Sequence, residues 1–232
     1  VPRMFYPFFD PTIIVLIPAL IFSMWAQFKV KGAFAKYSEV RAMSGVSAEQ
    51  VSRMLLDRRG LTNVKIERVP GELTDHYDPR SKVLRLSDSV NSSRSIAAIG
   101  VAAHEVGHAI QDKEGYGFLK FRNAIAPGVQ LCSTLSMPLF FIGLIFGSLN
   151  LLNVGILLFC GVLVFHLVTL PLEFDASARA LKLLSETNTL SGSELGGAKS
   201  VLDAAALTYV AALVMTVLQL VRLLALRNMR RD

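Results

Sequence analysis

Long apolar runs are the feature that most constrains what this chain can fold into. Three of them cover residues 11–28, 127–147 and 151–170, and each is close to the roughly 20 apolar residues that cross a bilayer. Hydrophobic residues make up 52% of the 232 residues and charged residues only 18%, which is too apolar for an ordinary soluble domain. Because backbone inside lipid must satisfy its own hydrogen bonds, the runs predict transmembrane helices.

The polar segments between these runs predict how the chain is organised. The expected fold class is a mainly α membrane protein with three to four transmembrane helices and a small α+β cytosolic domain. The predicted segments are an N-terminal segment (1–10), a first transmembrane helix (11–28), a cytosolic α+β region (29–126), a transmembrane hairpin (127–170), a helix and loop (171–197) and a C-terminal apolar helix with a basic tail (198–232).

The basic residues predict which way the chain lies in the membrane. The net charge is +6, and Lys29, Lys31, Lys36 and Arg41 directly follow the first run. Positive residues beside membrane helices stay in the cytoplasm, so membrane topology explains the charge and no nucleic-acid partner is expected. The connector over residues 148–150 carries no charge, as expected for the outer face.

The C-terminal run leaves two readings open. A fourth span would place the C-terminus outside, yet the tail carries Arg222, Arg227, Arg230 and Arg231, against the positive-inside rule. The segment is therefore either an interfacial helix or a true span that tolerates its tail.

One short motif predicts a metal site. Residues 101–111 carry His104, Glu105 and His108 in the pattern H-E-x-x-H, in a run with helical periodicity. Residues four apart lie on one helix face, so both imidazoles can bind one zinc ion. The glutamate between them is then the general base towards zinc-activated water. Two histidines buried on a helix without hydrogen-bond partners or a metal would lower the stability of the fold, because buried polar groups need partners.

Catalytic zinc normally has three protein ligands, so a third ligand must lie elsewhere. The candidates are His76, His166 and Glu173. Glu173 is the predicted ligand, because it begins a new helix after Pro171 and the hairpin returns it to the cytoplasmic side. For His166, which lies within a span, a bond to a neighbouring helix is favoured over a functional role.

Local patterns predict the elements of the cytosolic region. A capping box at Ser47 and Gln50 begins a helix that ends at Gly60. Strands are predicted over residues 62–69 and 82–87, and the zinc helix over 94–112. The second strand is predicted to be an edge strand. On its residues alone it is an ordinary edge of a small sheet. Residues 185–197 are predicted to be a loop that borders the cleft or moves as a lid.

Three stretches carry a resemblance to a known family. Residues 103–111, 170–177 and 207–212 resemble the YugP-like neutral zinc metallopeptidases of bacterial membranes, which are membrane gluzincins similar to HtpX and the CAAX prenyl endopeptidases. The resemblance implies a zincin-like domain in which His104, His108 and Glu173 bind zinc and Glu105 is the base. In the peptidases that this chain resembles, an edge strand pairs with extended substrate, which is the alternative for the second predicted strand. Many gluzincins have an Asp four residues after the ligand Glu; here that position is Ser177, while Asp175 lies on a different helix face.

Together these features predict a multi-pass bacterial membrane endopeptidase that hydrolyses peptide bonds at the cytoplasmic face. Its partners would be the lipid bilayer and a peptide or membrane-protein substrate, and the resemblance implies a role in membrane protein quality control. Tyr209 is either a donor to the developing oxyanion or an aromatic-belt residue. The alternatives are a non-catalytic zinc-binding scaffold or adaptor and a hydrolase acting on a non-peptide substrate.

Overall fold

The computed structural model describes residues 11–229, so the predicted N-terminal segment (1–10), Arg230 and Arg231 lie outside the described residues. A 3-10 helix over Pro11–Leu16 leads directly into α1. The remaining elements, in chain order, are α1 (Ile17–Ser38), α2 (Ala48–Arg58), β1 (Lys65–Val69), β2 (His76–Asp78), β3 (Val83–Ser87), α3 (Ile96–Glu114), α4 (Gly117–Phe146), α5 (Leu149–Glu186) and α6 (Ser193–Asn228).

Four helical segments in the described part of the chain are long and apolar enough to cross a membrane. They are Pro11–Ser38, α4, α5 and α6. Together with the small sheet, they confirm the predicted fold class: a mainly helical membrane protein with a small α+β region. The C-terminal apolar run is one of the four, although it ends beside arginines.

The helices extend beyond the apolar runs that predicted them. The helix break expected at Pro171 is wrong, because α5 continues through this residue to Glu186. A proline inside a helix removes one backbone hydrogen bond, and the helix-forming sequence on both sides outweighs that loss here. The loop predicted over residues 185–197 is also shorter, since α6 begins at Ser193 with Glu194 in its first turn. The segment boundaries drawn from the sequence stay predictions.

The chain divides into two compact units. Of the described residues, the first contains those up to Trp25, Asn123–Leu167 and those from Tyr209 onward. Within it, α4 and α5 form a tight hairpin: a Cβ built on Gly155 would lie 2.8 Å from the carbonyl oxygen of Ser136. Phe140, Leu144, Leu152, Leu223 and Leu226 form its buried apolar cluster.

The second unit contains Ala26–Arg122 and Val168–Thr208, and it holds the sheet. The strand order is β1-β3-β2, with β3 parallel to β1 and antiparallel to β2. The prediction that residues 82–87 form an edge strand is therefore wrong, because β3 is central and all of its residues except Arg85 are buried. The edges are β1 and the three-residue β2, which the sequence pattern did not predict.

Two capped helices complete the core of this unit. The capping box of Ser47 and Gln50 is present at the start of α2, as predicted. Ser95 caps the start of α3, and Gly115 ends it in the left-handed conformation with φ of 68°, which glycine adopts without steric cost. Apolar side chains of α2, β3 and α3 pack in one buried cluster, which fixes α3 beside the sheet.

Candidate metal centre

The structure brings together the three predicted zinc ligands on two helices. His104 and His108 lie one turn apart on α3, and Glu173 lies on α5. One potential ligand atom from each residue lies within 4.8 Å of the others. Glu173 Oε2 lies 3.2 Å from His104 Nε2 and 3.5 Å from His108 Nε2, and the Glu173 residue is 3% exposed. The cluster is therefore compact, with a buried carboxylate and two partly exposed imidazoles.

A glycine allows the two helices to approach this closely. Gly107 lies between the histidines, and a Cβ built on it would lie 2.6 Å from the carbonyl oxygen of Ala176 on α5. No real side chain tolerates such a contact with backbone, so the glycine is required where α3 meets α5. This close approach allows Glu173 to lie against the histidines and explains the glycine inside the motif.

Each histidine has a hydrogen-bond partner on its second ring nitrogen. His104 Nδ1 lies 3.1 Å from the hydroxyl of Ser177, and His108 Nδ1 lies 2.9 Å from Oε1 of Gln111. The Nε2 atoms of both rings therefore face Glu173. Partners of this kind orient metal-binding imidazoles and fix which nitrogen carries the proton.

The cluster fits a zinc ion by its donor chemistry. Two imidazoles and one carboxylate are a frequent ligand set of catalytic zinc. Burial alone would lower the pKa of His108, but its hydrogen bond with Glu173 and the charges of Glu105 and Glu173 raise this pKa to about 9. Without the ion, a proton on His108 thus partly neutralises the buried carboxylate. Since metal ligands must be deprotonated, binding of a metal by this cluster would release the proton.

The predicted base is positioned by the neighbouring strand. Glu105 is 8% exposed, and its Oε2 accepts a 2.9 Å hydrogen bond from the backbone N–H of Tyr77 on β2. The hydroxyl of Tyr77 donates to Asp112 at 2.7 Å, and burial followed by this contact raises the pKa of the phenol. Tyr77 thus joins β2 to α3 at two points, one of which is the Glu105 carboxylate.

The group of described residues that could hold a metal does not include His76 or His166, two other candidates from the sequence. His76 is on β2, where its Nδ1 contacts the carbonyl oxygen of Thr74. His166 and Tyr209 belong to the first unit, and Tyr209 is 36% exposed.

The sequence did not predict a functional role for three residues that contact the site: Gln111, Ser177 and Tyr77. Gln111 had a usable signal, because it follows His108 by three residues and so lies on the same helix face. The Ser177 position was identified, but not its contact with His104. The residue type of Tyr77 could not indicate its role, because its contact with Glu105 is made by the backbone N–H.

Comparison with known proteins points to the same chemistry. Residues 12–228 match the model of a family described as "Putative neutral zinc metallopeptidase". The chain is also 47% identical over 220 residues to the "Putative membrane protease YugP" of Bacillus subtilis (strain 168), an alignment that covers 95% of this chain and 98% of the relative. No solved structure matches the chain. The chain therefore belongs to this family of neutral zinc metallopeptidases, its cofactor is zinc, and it is a membrane protein.

Proposed function

We propose that the chain is a gluzincin-type endopeptidase whose H-E-x-x-H motif and Glu173 form its active site. The observation that carries this proposal is the grouping of His104, His108 and the buried Glu173 within 4.8 Å, with Glu105 on the same helix as the histidines. Both Nδ1 atoms are engaged elsewhere, so His104 Nε2, His108 Nε2 and a Glu173 carboxylate oxygen would hold the ion.

Zinc held by these residues would act as a Lewis acid towards the peptide carbonyl and would lower the pKa of water towards 7. Glu105 takes the proton of the attacking water as the water oxygen bonds to the carbonyl carbon. It then delivers that proton to the leaving nitrogen as the C–N bond breaks. The Tyr77 N–H holds the Glu105 carboxylate in place, so the base is positioned before substrate binds.

Tyr209 is proposed as a donor to the developing oxyanion, a role that this chemistry needs. Tyr209→Phe is expected to lower kcat about 10²–10³-fold, as the loss of one oxyanion donor does elsewhere, with zinc content unchanged. Tyr37→Phe, which also removes one phenol hydroxyl, is the matched control and should keep the parental kcat. Equal kcat values for Tyr209→Phe and the parent would make Tyr209 an aromatic-belt residue.

The proposed substrates are unfolded peptides and membrane proteins, cleaved at the cytoplasmic membrane face in the course of protein quality control. Support for this orientation comes from Lys29, Lys31, Lys36 and Arg41, which follow the first apolar run and by the positive-inside rule belong to the cytoplasm. These residues belong to the same compact unit as the zinc ligands.

A vesicle experiment tests the reaction and its orientation together. Inverted membrane vesicles that contain the protein are expected to cleave an added denatured, fluorescence-quenched protein. The impermeant chelator EDTA should abolish cleavage, and zinc should restore it, because metal-free ligands cannot activate water. Sealed right-side-out vesicles should cleave only after permeabilisation.

Vesicles that carry Glu105→Gln give the background of other proteases. Cleavage by sealed right-side-out vesicles alone would overturn the cytoplasmic orientation. Zinc-loaded protein that cleaves no more than this background over a varied peptide panel would contradict the peptidase and favour a zinc-binding scaffold.

A further inference from the structure

Gln111 is a completely buried polar side chain, 0% exposed, that contacts a predicted ligand. Its Oε1 lies 2.9 Å from His108 Nδ1. Its Nε2 donates to the carbonyl oxygen of Leu172 at 2.9 Å and to Asp175 Oδ2 at 2.7 Å. The three contacts use both N–H groups of the amide and its oxygen, so the side chain is fully satisfied by one arrangement.

The partners of Gln111 determine which way its amide points. A backbone carbonyl and a carboxylate accept hydrogen bonds and donate none, so the NH₂ group must face Leu172 and Asp175. The amide oxygen then faces His108, whose Nδ1 must donate. In the neutral imidazole, the form that binds a metal, the lone pair of His108 is thereby left on Nε2, the nitrogen that faces Glu173.

The same contacts tie α3 to the segment that carries Glu173. Leu172 precedes this residue and Asp175 follows it by two, so Gln111 is bonded on both sides of the carboxylate ligand. Asp175 is itself held by Arg179 Nε at 2.5 Å, and Arg179 also donates to Glu114 at 2.6 Å. A chain of contacts thus runs from surface charges through Asp175 and Gln111 to His108.

We propose that Gln111 is a positioning residue of the zinc site: it fixes the tautomer of His108 and couples that imidazole to the α5 segment around Glu173, while Asp175 acts on the site through Gln111. The proposal rests on the proposed ligand set. In it, the Gln111 amide holds His108 Nδ1, the Asp175 carboxylate of α5 holds that amide, and Ser177 is the separate partner of His104.

The test is zinc affinity, measured by competition with a fluorescent chelator on detergent-purified full-length protein. Gln111→Met keeps the side-chain length and removes all three hydrogen bonds. Zinc affinity is expected to fall about 10–100-fold, as it does when outer-shell partners of metal ligands are removed. The matched control is Gln50→Met, the same substitution in the capping box of α2, which should keep the parental affinity.

A double-mutant cycle separates positioning from general packing. Asp175→Leu should lower zinc affinity in the parent but have a much smaller effect in the Gln111→Met background, because residues that act through one contact are non-additive. Fully additive losses would overturn the role assigned to Asp175.

Parental zinc affinity in folded Gln111→Met, with helix content verified by circular dichroism, would overturn the role of Gln111. That failure is distinct from failure of the proposed function, in which the parent itself binds no zinc or, when loaded, cleaves nothing. If Gln111→Met does not fold, Gln111→Leu supplies the second variant. It also removes the amide oxygen and both N–H groups, so zinc affinity is again expected to fall, and parental affinity in folded Gln111→Leu would overturn the role of Gln111.

Discussion

Glu105→Gln is expected to retain zinc while losing peptide cleavage. The amide has the shape of the carboxylate, and its oxygen can accept the same hydrogen bond from the Tyr77 N–H, so the site should keep its structure. It cannot take a proton from water at neutral pH. Positioned acid–base groups contribute about 10²–10⁴-fold, and the cleavage rate should fall by at least this factor.

The measurement pairs zinc content with initial cleavage rates of the purified protein. Glu49→Gln is the matched control, because it makes the same change at an acidic residue of α2 and should cleave at the parental rate. A Glu105→Gln variant that is fully loaded with zinc and cleaves as fast as the parent would show that another group accepts the proton.

The grouping of His104, His108 and Glu173 was predictable from local spacing and from membrane topology. The spacing of His104 and His108 specifies one helix face, and the apolar runs specify membrane helices by length. Glu173 followed from topology, since a hairpin returns its far end to the side where it began. None of these inferences requires knowledge of which side chains are in contact in the folded chain.

The supporting part of the site was not predictable, because it depends on contacts between distant segments. The central position of β3 comes from a parallel pairing with β1 and an antiparallel pairing with β2, which no pattern within residues 82–87 encodes. The contact of Gln111 with Asp175 requires the close approach at Gly107. Pro171 misled the prediction, because its local preference to end a helix was outweighed by its neighbours.

The two hydrogen bonds of Tyr77 explain why the sheet lies beside the H-E-x-x-H helix. A three-residue strand supplies the N–H that holds Glu105, while the Tyr77 phenol anchors the strand to Asp112 on the same helix. A rigid strand end therefore presents a fixed donor to the base. A strand of only three residues is thus enough to position the buried Glu105 carboxylate.

Glu173→Ala is expected to abolish both zinc binding and cleavage. Within the described residues, the cluster at this point consists of two histidines and this one carboxylate, and catalytic zinc sites normally use three protein ligands. Zinc affinity should fall by more than the about 10–100-fold that loss of an outer-shell partner causes. Removal of the carboxylate also takes away the hydrogen bond that raises the pKa of His108.

Competition with a chelator and zinc content after dialysis measure this loss, and circular dichroism verifies folding. Glu186→Ala is the matched control: the same change lies near the end of the same helix, where Glu186 pairs at the surface with Arg59. The control should bind zinc and cleave as the parent does. If Glu173→Ala held zinc at parental affinity, the third ligand would have to be another residue, and the close approach of α5 to α3 at Gly107 would serve packing alone.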